Sequence, residues 1–468
     1  MFKRNLIAAA VACAFAAPAL AQQAELAKIR EEIKQMKEGY EQRIQALEKR
    51  LAEAEARAGK AEQSAAKAET AAVAAGSRSG ENAFNPAVSL ILQGTYANTS
   101  KDPRTFQITG FVPSGGEVGP PKRSFGLSET ELTFTANVDP YFRGVVTAAL
   151  APDNEVGVEE AYFQTLALPR GFTLKGGRFL SGIGYQNEIH QHAWDFQDAP
   201  LPYKAFLGGR LRQDGVQLKW IAPTDLFAEV GAEFSSGDQF PGSDRNKNGV
   251  GGASIFGHLG GDIGASYAWR TGLSYVRTSP QNRGYEDVDS LGNAVTNSFT
   301  GRATLWIADA VLKWAPNGNV TYNNFKLQAE YFRFKQDGSL TYDDRGQAAP
   351  QFGVPFTDYF KTDQSGWYAQ GVWQFMPRWR IGYRYDQLRY GTVNNGIANN
   401  GLGPTAADFP LLANHSPSRN TLMFDWSPTE FSRVRLQFAA DQSRLGAADN
   451  QVFVQYIHSL GAHGAHKF

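Results

Sequence analysis

The chain has 468 residues, 46 Lys and Arg against 46 Asp and Glu, 48 Gly and 12% aromatic residues. Zero net charge gives no basic excess for nucleic acid, and beyond residue 21 no run approaches the ~20 apolar residues of a membrane-crossing helix. The single cysteine, Cys13, falls in a stretch that reads as a signal, so the mature chain is expected to have neither disulfide nor thiolate metal site.

Residues 1–21 carry Lys3 and Arg4, an apolar core from Leu6 to Ala17, and the small-residue site Ala19-Leu20-Ala21. This is the pattern of a cleaved secretory signal. The competing reading, a lipoprotein signal acylated at Cys13, places Ala10 where Leu is usual. Cleavage removes two basic residues and leaves about −2.

Over residues 22–75, Leu26, Ile29, Ile33, Met36, Tyr40, Ile44, Leu47 and Leu51 recur in steps of three and four, and alanines continue the spacing to Ala72. The pattern predicts an α-helical coiled coil in the periplasm, weaker in its Ala-rich half. Some 50 helical residues reach ~75 Å. Such a helix suits self-association or contact with the cell wall; the plainer reading is a solvated spacer. Gly76-Ser77-Arg78-Ser79-Gly80 opens a linker over 76–85.

From residue 86 to 468 the apolar period becomes two. Sixteen strands are expected, the first around Val88–Tyr96 and the last over Gln451–Leu460. Long connections at 99–124, 181–212, 235–252, 278–302, 335–366 and 389–418 alternate with tight turns such as Asp139-Pro140, Pro223-Thr224-Asp225 and Met376-Pro377-Arg378. One face is continuously apolar: Trp379, Ile381, Tyr383 and Tyr385 on one strand, Val434, Leu436 and Phe438 on another. The other face reads as polar. An even strand count, long loops at one end and short turns at the other predict an all-β transmembrane β-barrel with its apolar face to lipid. The inward face then carries Lys326, Arg378, Arg380, Arg384, Arg433 and Arg435, a basic wall suited to small hydrophilic or anionic solutes. Glu330, Asp386 and Asp441 share that face, and the alternative is a set of neutralising ion pairs.

The signal, the sixteen-strand alternation, the terminal Phe468 and the long third loop resemble the trimeric porins of Gram-negative outer membranes. The N-terminal coiled coil is similar to that of phosphate-selective and siderophore porins. Asn82-Ala83-Phe84-Asn85-Pro86-Ala87, Trp194-Asp195-Phe196 and the tail from Gly461 to Phe468 resemble proteins described as zinc-regulated outer-membrane receptors. The porin resemblance implies a passive channel in outer-membrane lipid, a homotrimer, and a loop at 181–212 that folds inward as a constriction. Glu188, Asp195 and Asp198 would then face the basic wall across the narrowest point.

The same loop holds His190 and His192, which share a face if extended and could hold Zn²⁺ with Asp195 or Glu188. This supports an alternative function, an uptake receptor for zinc or a metal chelate. The plainer reading is loop-anchoring hydrogen bonds. His458, His463 and His466 form a second metal candidate. Asp244-Arg245-Asn246-Lys247-Asn248-Gly249 resembles half a calcium loop, but Ile255 stands where the bidentate Glu belongs. No resident cofactor is expected. There is no G-x-S-x-G, H-E-x-x-H or P-loop, and no enzyme is expected.

Overall fold

In a computed structural model the chain divides into two units, Met1–Ala83 and Phe84–Phe468. The structure describes residues 86–461 apart from 116, 117 and 153, together with Glu31, Lys34, Met36, Lys37, Glu38 and Gln45. Those N-terminal residues are helical and exposed. The signal, the linker, the remainder of the expected coiled coil, His463 and His466 lie outside the described residues.

The second unit is built from strands β1 (Ala87–Thr99), β2 (Ser124–Leu127), β3 (Thr130–Asn137), β4 (Phe142–Leu150), β5 (Val156–Thr165), β6 (Phe172–Leu180), β7 (Arg212–Ile221), β8 (Phe227–Ser235), β9 (Gly252–Ile263), β10 (Tyr267–Thr278), β11 (Arg283–Val288), β12 (Ala294–Trp314), β13 (Asn324–Asp343), β14 (Phe356–Met376), β15 (Trp379–Asn395), β16 (Ser418–Thr429), β17 (Ser432–Arg444) and β18 (Ala447–Gly461). Sequential neighbours pair antiparallel, and β1 pairs with β18 from Ser89–Gly461 to Thr99–Gln451, which closes the sheet. Two staves are interrupted. β2 and β3 take successive parts of β1, and β10 and β11 take successive parts of β12. The wall is therefore a closed antiparallel barrel of sixteen staves, as the alternation predicts. Among the described residues no helix is long and apolar enough to cross a membrane.

The wall is uneven in height. β3 to β8 have eight to ten residues each, whereas β12, β13 and β14 have 20 or 21. Stretches expected as loops at 278–302 and 335–366 are strand in large part, and the start of 389–418 is strand to Asn395, because β11 to β15 continue past the apolar belt. Their exterior shows the change of surroundings. Trp306, Leu327, Tyr331, Trp373 and Tyr383 point outward and are exposed. Further along the same outward rows come Arg333 and Lys335, both paired with Asp363 at 2.9 and 3.0 Å. Gly, Asn and Asp within these extensions hide the strand signal, and pairing with long neighbours supplies what local propensity lacks.

The inward face is not uniformly polar, which corrects the expectation above. Phe256, Val276, Leu305, Ile307, Phe332 and Phe334 point inward and form a buried cluster with a short helix, Leu201–Leu207. A second cluster, including Tyr285, Phe299, Leu340, Tyr342, Phe360 and Phe409, fills the long-loop end. On β13 apolar residues fall on both faces, Tyr331 outside and Phe332 inside, so the period of two cannot tell them apart.

Candidate functional site

Between β6 and β7 the chain leaves the wall and folds into the lumen. Its neck is tight. Ser181 N–H donates to the Leu211 carbonyl at 3.0 Å, and Asn187 Nδ2 bridges the carbonyls of Ser181 and Leu211 at 2.7 and 2.9 Å. Every residue of the Leu201–Leu207 helix is buried. Pro200 and Pro202 start the helix without needing the missing N–H groups, and Gly208 ends it in a left-handed conformation at φ 64°. Phe206 and Tyr203 pack on Phe332 at ring-centroid distances of 6.3 and 5.0 Å.

Backbone donors of the loop are met by carboxylates of the wall. Glu233 accepts from Gly182 N–H (2.8 Å) and Ser181 Oγ (2.5 Å). Glu330 accepts from the N–H groups of Tyr185 and Gln186 (3.2 and 3.1 Å) and from the hydroxyls of Tyr203 and Tyr368 (2.9 and 2.5 Å). Gly184 sits against this hub at φ +61°, where an added Cβ would meet Glu330 Oε2 and lie 2.9 Å from the Tyr203 hydroxyl. Gly184→Ala is expected to cost about 2–4 kcal/mol through left-handed strain and overpacking. Gly292→Ala, at φ +85° with open space around it, carries the strain alone. Thermal unfolding of the two variants in detergent should therefore separate them, and equal losses would discount the hub.

On the far wall the charges form cross-strand sets. Arg380, Asp425 and Arg435 stand directly opposite one another on β15, β16 and β17, with Arg380–Asp425 at 2.5 Å and Asp425–Arg435 at 2.8 Å. Asp386, Arg419 and Asp441 repeat the arrangement with opposite sign, Arg419–Asp441 being 3.4 Å. Two acids of the loop dock on these sets. Asp195 pairs with Arg380 at 3.1 Å and with Lys326. Asp198 pairs with Arg384 at 3.1 Å, with Lys204 at 2.7 Å and with Arg419. Arg435 donates to the Trp194 carbonyl at 2.8 Å, and Arg433 to that of His192. The acids thus touch the basic wall directly, with no opening between them. A buried charge left without a partner costs several kcal/mol, so this contact is what admits both signs to the interior.

Other expected residues lie elsewhere. Glu188 is 3.7 Å from Lys219 on β7, away from the basic wall. Arg378 is in the turn after β14, where it donates to the Pro428 carbonyl at 2.7 Å. His458 is in the wall on β18, stacked near Tyr456 at 6.2 Å.

His190 and His192 meet neither Asp195 nor Glu188. His190 Nδ1 is 3.0 Å from Glu131 and 3.2 Å from Glu159, and its Nε2 is 3.0 Å from Glu160. His192 Nδ1 is 3.1 Å from the other oxygen of Glu131. Glu159 and Glu160 are adjacent in sequence yet both buried, because β5 has a bulge there: Thr147 pairs with Glu160 and Ala148 with Val158. The extra residue breaks the alternation, and this is why the sequence pattern missed them. Arg419 and Asp425 were legible by parity, since they alternate with the outward Leu422 and Phe424.

At the short-turn end a cavity of about 1100 Å³ is lined by His192, Arg378, Arg380, Arg433 and Glu430 among others. At the long-loop end a cavity of about 380 Å³ lies between residues 104–118 and Ala205 of the inserted helix.

No protein-family model matches the chain. An uncharacterized protein of Aquifex aeolicus (strain VF5) is 30% identical over 425 residues, covering 83% of this chain and 81% of that protein. Among solved structures, the chain is similar to a loop L8 deletion mutant of OmpT, an outer-membrane protein of Vibrio cholerae, with a TM-score of 0.49, 10% identity and coverage of 80% of this chain and 99% of that one. OprB of Pseudomonas putida gives 0.47 at 13% identity (80% and 94% covered), and the outer-membrane channel DcaP of Acinetobacter baumannii gives 0.45 at 12% (80% and 96%).

Proposed function

This chain belongs to one family with the uncharacterized Aquifex aeolicus protein, and we propose that its barrel is a porin-type channel of the outer membrane, passing small hydrophilic solutes, anions in preference. The observation that supports this most is the closed wall, apolar outside, with buried charge inside. A sheet of this kind can expose its outward apolar rows only to lipid, and closure leaves no backbone group unpaired there. The narrow section is the inserted loop, with Asp195 and Asp198 closing on Arg380, Arg384 and Lys326. The anion preference rests on the cavity at the short-turn end, where Arg378, Arg380 and Arg433 stand against Glu430. Rings of one sign set ion preference in pores.

Reconstitution of the full chain in a planar bilayer tests the reading. Discrete steps are expected, in groups of three if the assembly is the expected homotrimer. A salt gradient should give a reversal potential of the anion-selective sign. Silence over many insertions would end the channel reading, and a cation-selective potential would end the assigned preference.

A further inference from the structure

We propose that Glu131, His190 and His192, with Glu159 as a fourth ligand, bind one divalent transition-metal ion of the Zn²⁺ class and so fasten the inserted loop to β3 and β5. The channel reading does not enter this: a barrel with a sealed lumen would bind the ion equally.

Ligand atoms of Glu131, His190 and His192 lie within 4.8 Å of one another. The tighter spacings are 3.0 to 3.2 Å, from His190 Nδ1 to Glu131 and Glu159 and from His192 Nδ1 to Glu131. Bonds of roughly 2.0–2.1 Å at tetrahedral angles put donors about 3.3 Å apart, so small rotations convert one arrangement to the other. The atoms are also poorly served as they stand. His190 Nδ1 makes no hydrogen bond despite its two near carboxylates, and Glu159 Oε2 receives none although the residue is 4% exposed. Charge points the same way. Glu129, Glu131, Glu159 and Glu160 face two fixed cations, Arg210, which pairs with Glu159 and with Glu129 at 3.3 Å, and Lys175, which acts on Glu160. A divalent cation neutralises the surplus.

The donor set favours Zn²⁺, Co²⁺ or Ni²⁺, since imidazole nitrogens with carboxylates suit these ions over Mg²⁺ or Ca²⁺. The site is reachable. The side chains of His190 and His192 are 23% and 12% exposed, and His192 lines the cavity at the short-turn end.

The test uses the full chain, chelator-treated in detergent and titrated with Co²⁺, followed by its visible d–d bands, then with Zn²⁺ in competition. One Co²⁺ per chain is expected, displaced by Zn²⁺ and not by Mg²⁺. His190→Ala with His192→Ala should weaken binding at least tenfold, whereas His463→Ala with His466→Ala should leave the bands unchanged. Should the first variant fail to fold, Glu131→Gln keeps the side-chain shape and should show the same loss. Absence of bands in the native chain overturns the proposal. So does their persistence in Glu131→Gln, or their loss with the tail histidines.

Discussion

Asp198→Ala is expected to destabilise the folded barrel by about 3–5 kcal/mol, the range for removing one partner of a buried ion pair. Asp198 is shared by Arg384, Arg419 and Lys204. The two arginines keep Asp386 and Asp441 as partners. Lys204, with a side chain only 4% exposed, keeps no carboxylate within ion-pair distance among the described residues. The cost should therefore fall mainly on Lys204. Adding Lys204→Met is expected to recover much of the loss, since the orphaned charge goes with it. Unfolding in denaturant measures both variants. A double variant no more stable than Asp198→Ala would show that the arginines, not the lysine, bear the effect.

Excision of the loop should give the largest functional change. Leu180 and Arg212 are paired across β6 and β7, and Ser181 is already bonded to Leu211. Replacing residues 182–210 with a four-residue Gly-containing turn therefore makes an ordinary hairpin and leaves the wall register intact. The excised segment fills the lumen between two cavities, so single-channel conductance should rise several-fold, on the scale set by the width of a water-filled barrel of sixteen strands. The wall carries this change at a cost, because Glu233 and Glu330 lose loop donors and must be met by water. Conductance equal to that of the intact chain would show that the narrow section lies elsewhere.

The barrel was legible because its signal is local and repeated. Every expected strand, from Val88–Tyr96 to Gln451–Leu460, overlaps one of the sixteen staves and overruns it by no more than two residues. The length of β12 to β15 was not legible, because their distal halves exchange apolar outward residues for Arg333, Lys335 and Asp363 once the lipid-facing rows end. The inserted loop was legible as an interruption with clustered ligands, but not in its contacts. His190 chooses Glu131, Glu159 and Glu160 over Asp195, five residues along its own loop, because a bulge on β5 turns two successive carboxylates inward. Pairings set by a bulge and by closure of the sheet leave no trace in spacing.

The loop's anchoring also fixes an order of events. Its partners are spread from β3 and β5 to β17, and the bond from Arg433 to His192 spans 241 residues of chain. Most of those partners lie C-terminal to the loop, and Arg380, Arg384, Arg419, Arg433 and Arg435 are on β15 to β17, strands that take their places only with the last hairpins. The His192–Trp194 part of the loop cannot be fully seated while the seam between β1 and β18 is open, for Arg433 and Arg435, which bond its carbonyls, belong to β17, beside β18 at that seam. Contacts at such separation form slowly, since chain-closure entropy precedes any return from them. Completion of the interior is thus the final step of assembly, and a barrel that has inserted without sealing its seam should be distinguishable by protease sensitivity confined to residues 188–210.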